Sequence, residues 1–324
     1  MATRPKVFLT RRWPSAVEQH LSERFDVWLN QTDQPLGPGD LSNALREYDA
    51  VCPTVSDVLD AAVLEGGAGA AKILGNYGVG VNHIDVEACK RLGLVVTNTP
   101  DVLTDATAEL AILLMLMVAR RAGEGERELR AGAWAGWRPT HMMGSQVTGK
   151  TLGLVGFGRI GQAVARMAHQ GLGMTILYHS RRRAGPEVEA ETGAVFCAGL
   201  DDLLRGADFV SLHAPGGAET RHLIDARRLA LMKPAAFLIN TARGAVVDEA
   251  ALTEALAQGR IAGAGLDVYE DEPAVTPGLK RLENVVLLPH LGSATAQTRT
   301  AMGMRVAQNL EAYFSGREPP DRVA

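Results

Sequence analysis

Cysteine is scarce, long apolar runs are missing, and neither sign of charge dominates. The three cysteines, Cys52, Cys89 and Cys197, are odd in number and widely spaced. That argues against a disulfide framework and offers no metal-ligand spacing, so no metal is expected, and a reducing, cytoplasmic setting is. The longest apolar run, Leu110–Ala119, has ten residues, well short of the ~20 a membrane helix needs. It reads as a buried helix. The apolar run Val7–Leu9 behind the N-terminal residues is too short for a signal-peptide core. Lys and Arg total 33 against 37 Asp and Glu, a formal net charge of −4. So mild a balance gives no reason to expect nucleic acid or a membrane surface as partner.

What is present is ordinary soluble composition, 46% hydrophobic and 22% charged, spread over more residues than one core comfortably serves. Two domains are expected. The first hundred residues alternate strand candidates (Lys6–Leu9, Asp26–Leu29, Asp49–Cys52, Lys72–Gly75, Val95–Thr97) with helical stretches such as Ser15–Phe25 and Asp57–Leu64. Such alternation implies a parallel sheet covered by helices, an α/β fold. A long helical stretch, Asp101–Arg121, follows. Then comes a Gly- and Trp-rich segment, 131–139, which reads as a surface excursion. A second series supplies six strands: Thr151–Val155, Thr175–Tyr178, Asp208–Leu212, Ala236–Asn240, Ile261–Leu266 and Val285–Leu288. Six parallel strands suit a complete dinucleotide fold. A last helix spans Ala296 to Phe314.

The first strand of the second series runs into Gly156-Phe157-Gly158-Arg159-Ile160-Gly161. In such a turn Gly156 makes the bend, Gly158 clears the approach of a pyrophosphate, and Gly161 lets the helix pack on the strand. Free N–H groups at the helix start, around Arg159 and Ile160, and the positive end of its dipole would face the phosphates. The next strand should end on an acid that holds a ribose 2′-hydroxyl. The chain instead reads His179-Ser180-Arg181-Arg182-Arg183. A missing carboxylate and added guanidinium groups favour a 2′-phosphate, hence NADP(H) with NAD(H) as the alternative. Ser180, Arg181 and Arg182 are the expected contacts.

Further along stand an Arg in Thr241-Ala242-Arg243-Gly244, carboxylates in Glu270-Asp271-Glu272-Pro273, and a His in Pro289-His290-Leu291-Gly292-Ser293. Reduction of a 2-keto acid needs a carboxylate grip, a polarised carbonyl and a proton for the developing alkoxide. The fixed, planar charge of Arg243 suits the first two. His290 suits the third, since imidazole exchanges protons near neutral pH.

With Val79-Gly80-Val81-Asn82-His83-Ile84-Asp85, the segment 98–109 and Gly265-Leu266-Asp267-Val268 added, the chain resembles the D-2-hydroxyacid dehydrogenases over nearly its whole length, and most of all their glyoxylate/hydroxypyruvate reductase branch. The resemblance implies a Rossmann dinucleotide-binding domain, 101–288, inserted into a flavodoxin-like substrate domain made of 1–100 and 289–324, with the active site in the cleft. It singles out Glu272, which directly precedes Pro273, as the carboxylate that orients His290. It brings Thr104, Thr241, Asp267 and Gly292 to the cofactor, and the N–H groups of Val79 and Gly80 to the substrate carboxylate. It implies a homodimer with a dimerisation arm around 101–130. Trp134 and Trp137 match a tryptophan pair of the reductases, and Trp137 is the one expected to border the partner's substrate pocket; packing at the dimer interface is the competing reading. The substrates implied are glyoxylate and hydroxypyruvate. Phosphoglycerate and phosphite dehydrogenases, and dinucleotide-sensing corepressor relatives, are the alternatives.

Overall fold

The computed structural model describes residues 4–324. The chain divides into two compact units, one holding the residues up to Leu103 together with Ala294–Ala324, the other Thr104–Ser293. These limits lie a few residues beyond the expected 100/101 and 288/289. A helix begins at Thr104 and belongs to the second unit. Residues 290–292 stay there too, because their N–H groups bond to Asp267.

The first unit is built on β1 (Lys6–Leu9), β2 (Asp26–Leu29), β3 (Ala50–Cys52), β4 (Ile73–Gly75) and β5 (Val95–Thr97), all parallel, in the order β2-β1-β3-β4-β5. This is the flavodoxin-like order. Strands β3 and β4 are buried at every position. They read as unbroken apolar runs because helices cover both faces. The helix Ala296–Phe314 packs on the helix Ser15–Arg24 and on β4. Glycines allow the close approach. A Cβ at Gly303 would lie 2.7 Å from Val17, and one at Gly75 would lie 2.7 Å from Val306. The end of the chain bonds to Val96 on the edge strand β5 (Val96 N to Ala324 O, 2.9 Å; Val323 N to Val96 O, 2.7 Å), which blunts that edge.

The second unit carries β6 (Thr151–Val155), β7 (Thr175–His179), β8 (Ala194–Phe196), β9 (Phe209–Leu212), β10 (Phe237–Asn240), β11 (Gly263–Leu266) and β12 (Val285–Leu287), all parallel, in the order β12-β11-β10-β9-β6-β7-β8. The sheet has seven strands where six were expected. The additional one, β8, is a three-residue edge strand whose Val195 is 56% exposed, so it lacks the apolar run of a central strand. Separate apolar cores cover the two faces. The expected helical stretch 101–121 is the helix Thr104–Ala119. It ends before Arg121, whose φ of +53° turns the chain into a second helix, Ala122–Arg130, with no buried residue. Among the described residues no helix is long and apolar enough to cross a membrane.

Candidate active site

Most of the sequence-predicted site residues follow the carboxyl ends of strands in the second unit, where open parallel sheets bind ligands. Gly156 follows β6 with φ +95°. An added Cβ there would lie 2.6 Å from the backbone of His213, and one at Gly161 would lie 2.5 Å from the Gly156 carbonyl oxygen. Neither position has room for a side chain. At Gly158 a Cβ would meet nothing within 4 Å. Gly158 caps the helix Arg159–Leu172, whose first N–H groups have no partner within the helix. The turn is therefore tight where it must pack and open where a phosphate must approach. The hydroxyl of Thr241, just past β10, is buried and has no hydrogen-bond partner. An orphaned buried donor and an open glycine turn, both at the carboxyl ends of strands of one sheet, fit a dinucleotide.

Beyond β7, the Ser180 hydroxyl donates to the carbonyl of Arg182 at 2.6 Å. Arg183 forms two 2.9 Å bonds to Glu189. With the Tyr178 hydroxyl, Arg183 pulls the Glu189 carboxyl down to about 2. Arg181 reaches Glu219, at 3.2 Å and largely in solvent. The guanidinium of Arg182 makes no ion pair among the described residues and is exposed.

Arg243, Glu272 and His290 come from the loops after β10, β11 and β12. Asn240 shapes the first loop, accepting from Ala242 N and donating to Arg243 O, both at 3.0 Å. Arg243 is half-buried. Burial lowers its pKa and the nearby Glu272 charge opposes this; a guanidinium stays charged regardless. Glu272 accepts from Tyr269 N at 3.0 Å through Oε1, and its Oε2 lies 2.7 Å from His290 Nδ1. Burial works against the Glu272 charge. The His290 contact, the Tyr269 N–H and Arg243 outweigh it and hold the carboxyl below its usual range. His290 Nε2 carries no hydrogen bond among the described residues, and the side chain keeps about a third of its surface exposed.

Asp267, also after β11, is buried. Its oxygens accept from Leu291 N (2.6 Å) and Gly292 N (2.8 Å), and its carbonyl accepts from His290 N (2.9 Å). Burial raises its pKa despite those bonds. Thr107, in the first turn of the helix that starts at Thr104, donates to Gly292 O at 3.1 Å. These contacts hold His290 at φ +55°, a backbone conformation rare outside glycine. Of the other carboxylates near Glu272, Glu270 is taken by Arg221 (2.8 Å) and His222 (2.6 Å), and Asp271 is exposed.

In the first unit, Val79 and Gly80 lie in the loop after β4. Buried Asn76 donates to the carbonyls of Gly78 and Gly80, and Asn98 donates to that of Val79. The carbonyls are thus engaged, while the N–H groups of Val79 and Gly80 carry no hydrogen bond among the described residues. Trp137 is 81% exposed and Trp134 51%, both past the helix Ala122–Arg130. The supporting residue Asn76 escaped the sequence reading, and Asn98, Thr107 and Asn240 stood in its motifs without a role. Their only signal there is a polar residue at a strand end or in a helix's first turn.

Residues 112–292 match the family model for the NAD-binding domain of D-isomer specific 2-hydroxyacid dehydrogenases. A glyoxylate reductase of Thermococcus litoralis is 48% identical over 99% of this chain and 97% of its own. A solved structure of a putative D-isomer specific 2-hydroxyacid dehydrogenase from a Polaromonas species superposes with a TM-score of 0.92 at 39% identity, covering 99% of this chain and 100% of its own. A Sinorhizobium meliloti NADPH-dependent glyoxylate/hydroxypyruvate reductase, solved with NADP and malonate, gives 0.88 at 35% identity, over 99% and 97%.

Proposed function

The chain belongs to the D-isomer specific 2-hydroxyacid dehydrogenases, which are NAD(P)-dependent oxidoreductases, and on that premise we propose that it reduces glyoxylate to glycolate and hydroxypyruvate to D-glycerate with NADPH preferred over NADH. The observation that carries this reading is the 2.7 Å contact of Glu272 with His290 Nδ1, which leaves Nε2 unbonded in the same unit as half-buried Arg243. A bound reduced nicotinamide dinucleotide supplies the hydride. Arg243 grips the substrate carboxylate and polarises the carbonyl. His290 gives the proton on Nε2 to the developing alkoxide. Glu272, held ionised by its surroundings, keeps Nδ1 protonated and the ring oriented.

The cofactor contacts in this reading are Gly156, Gly158, Arg159, Ile160 and Gly161 for the pyrophosphate, Ser180, Arg181 and Arg182 for the 2′-phosphate, and Thr104, Thr241, Asp267 and Gly292 for the rest. The exposed helix Ala122–Arg130 and the tryptophans beyond it form a homodimer arm, with Trp137 bordering the partner's substrate pocket and excluding bulky keto acids. The enzyme works in the cytoplasm. Steady-state rates for glyoxylate and hydroxypyruvate, read from the loss of reduced-nicotinamide absorbance with each cofactor, test the reading. Turnover of both substrates with a higher kcat/KM for NADPH is expected. Equal or better use of NADH overturns the cofactor assignment, and no turnover of either acid overturns the substrates.

A further inference from the structure

Glu249 is buried to 5% exposure at the start of the helix Glu249–Ala257. A buried carboxylate needs partners to offset its lost hydration. Its partners both lie in one distant loop. Oε1 accepts from Glu270 N at 2.6 Å, and Oε2 accepts from the Thr276 hydroxyl at 2.6 Å. Glu272 sits between those two anchors. The helix reaches back in sequence to Arg243: Asp248 caps it through Ala251 N, and the turn Gly244–Val246 joins it to Arg243. Gly244 packs so tightly on the loop that an added Cβ would lie 1.8 Å from the Tyr269 carbonyl carbon. Gly278 closes on the same helix, where a Cβ would fall 2.4 Å from Thr253. One carboxylate thus ties the segment that follows Arg243 to the loop that carries Glu272.

We infer that Glu249 is a positioning residue for the reaction: it holds the 269–276 loop so that Glu272 meets His290 Nδ1 while Arg243 stays beside it. This deepens the reading of Glu272 and His290 given above and rests on it. The carboxylate touches no substrate and acts through the loop alone. A glutamine keeps an acceptor for Glu270 N, and its amide can donate to the Thr276 oxygen. An alanine leaves both groups without a partner.

The test compares Glu249→Ala, Glu249→Gln, Glu272→Gln and the double variant Glu249→Ala/Glu272→Gln, by kcat, KM for NADPH, the pH profile of kcat/KM, and Tm. Residues acting as a unit are non-additive. Glu249→Ala should lower kcat by about tenfold or more, with KM for NADPH within about twofold, and its pH profile should approach that of Glu272→Gln. The double variant should be no worse than Glu272→Gln alone, and Glu249→Gln should recover to within about threefold of wild type. Multiplying effects, or a lowered Tm with kcat and pH profile unchanged, overturn the inference. Should Glu249→Ala not fold, Thr276→Val removes one anchor only. It should lower kcat with the same change in pH profile, and an unchanged profile overturns the inference. If Glu272→Gln itself turns over normally, it is the reading of the active site that fails; if only Glu249→Ala is silent, that reading stands and this one falls.

Discussion

Beside Arg243 stands a residue that can only be glycine. A Cβ on Gly244 would sit 1.8 Å from the carbonyl carbon of Tyr269, 2.0 Å from its oxygen and 2.3 Å from Glu270 N. All three are backbone atoms, so no rotamer change relieves the clash. Gly244→Ala should therefore push the 269–272 segment away from Arg243. It should cost about 1–3 kcal/mol or more of stability through overpacking, read as a lower Tm, and reduce turnover as well. Gly158→Ala is the contrast. Its Cβ meets nothing within 4 Å, so thermal unfolding should match wild type while the KM for NADPH rises. Equal Tm loss in both variants would show that the open face of the turn is structural and not a phosphate approach. For His290→Gln, loss of the proton donor should lower kcat about 10²- to 10⁴-fold with cofactor binding kept. Undiminished turnover would place the donor elsewhere.

In the proposed reading, the segment after β7 decides between the two cofactors. Of its three arginines, Arg183 is spent on Glu189, while Arg181 and Arg182 stand in solvent. Charged hydrogen bonds to a phosphate are worth about 1.5–3 kcal/mol each. Arg181→Ala/Arg182→Ala should thus raise the KM for NADPH about tenfold or more and leave that for NADH nearly unchanged. Arg183→Ala should lower stability without altering cofactor choice. If the Arg181/Arg182 pair affects both cofactors alike, the 2′-phosphate assignment is lost. The sequence draws attention to this segment because it departs from a pattern: an acid is absent where a ribose would need one. The buried strands were legible because β3, β4, β9 and β10 are apolar at nearly every position. Strand β8 was not, since its short edge run carries an exposed valine. The helical stretch ends rightly at Arg121 in the sequence, but the second helix, Ala122–Arg130, does not separate out there, since it buries no residue and so shows no apolar face. Glu249 and Asn76 were hidden for another reason. Their work is done by side-chain hydrogen bonds to distant or neighbouring loops, and spacing along the chain does not encode such bonds.

Across the molecule, the response to acid should begin at a histidine before it reaches the carboxylates. The ring of His213 accepts or donates one bond, to Ser211 at 2.9 Å, and no acid faces it to stabilise a charge. Desolvation of the half-buried ring lowers its pKa to about 4. A base whose pKa is depressed on folding stays neutral in the native state while the unfolded chain takes up a proton near the ordinary value. The stability it contributes is therefore complete above about pH 6.5. It is lost as pH falls from there toward 4, with a slope of at most about 1.4 kcal/mol per pH unit. Glu189 and Asp201, each held at about 2 by arginines, act at lower pH. Their contribution is present above the usual carboxylate range and disappears as pH drops through that range toward 2. Denaturant unfolding between pH 8 and 3 should then show two successive declines. His213→Gln should flatten the first and spare the second. A wild-type protein whose stability is constant down to about pH 4.5 would mean that the His213 ring is solvated enough to protonate in the native state, and the first decline would have no source.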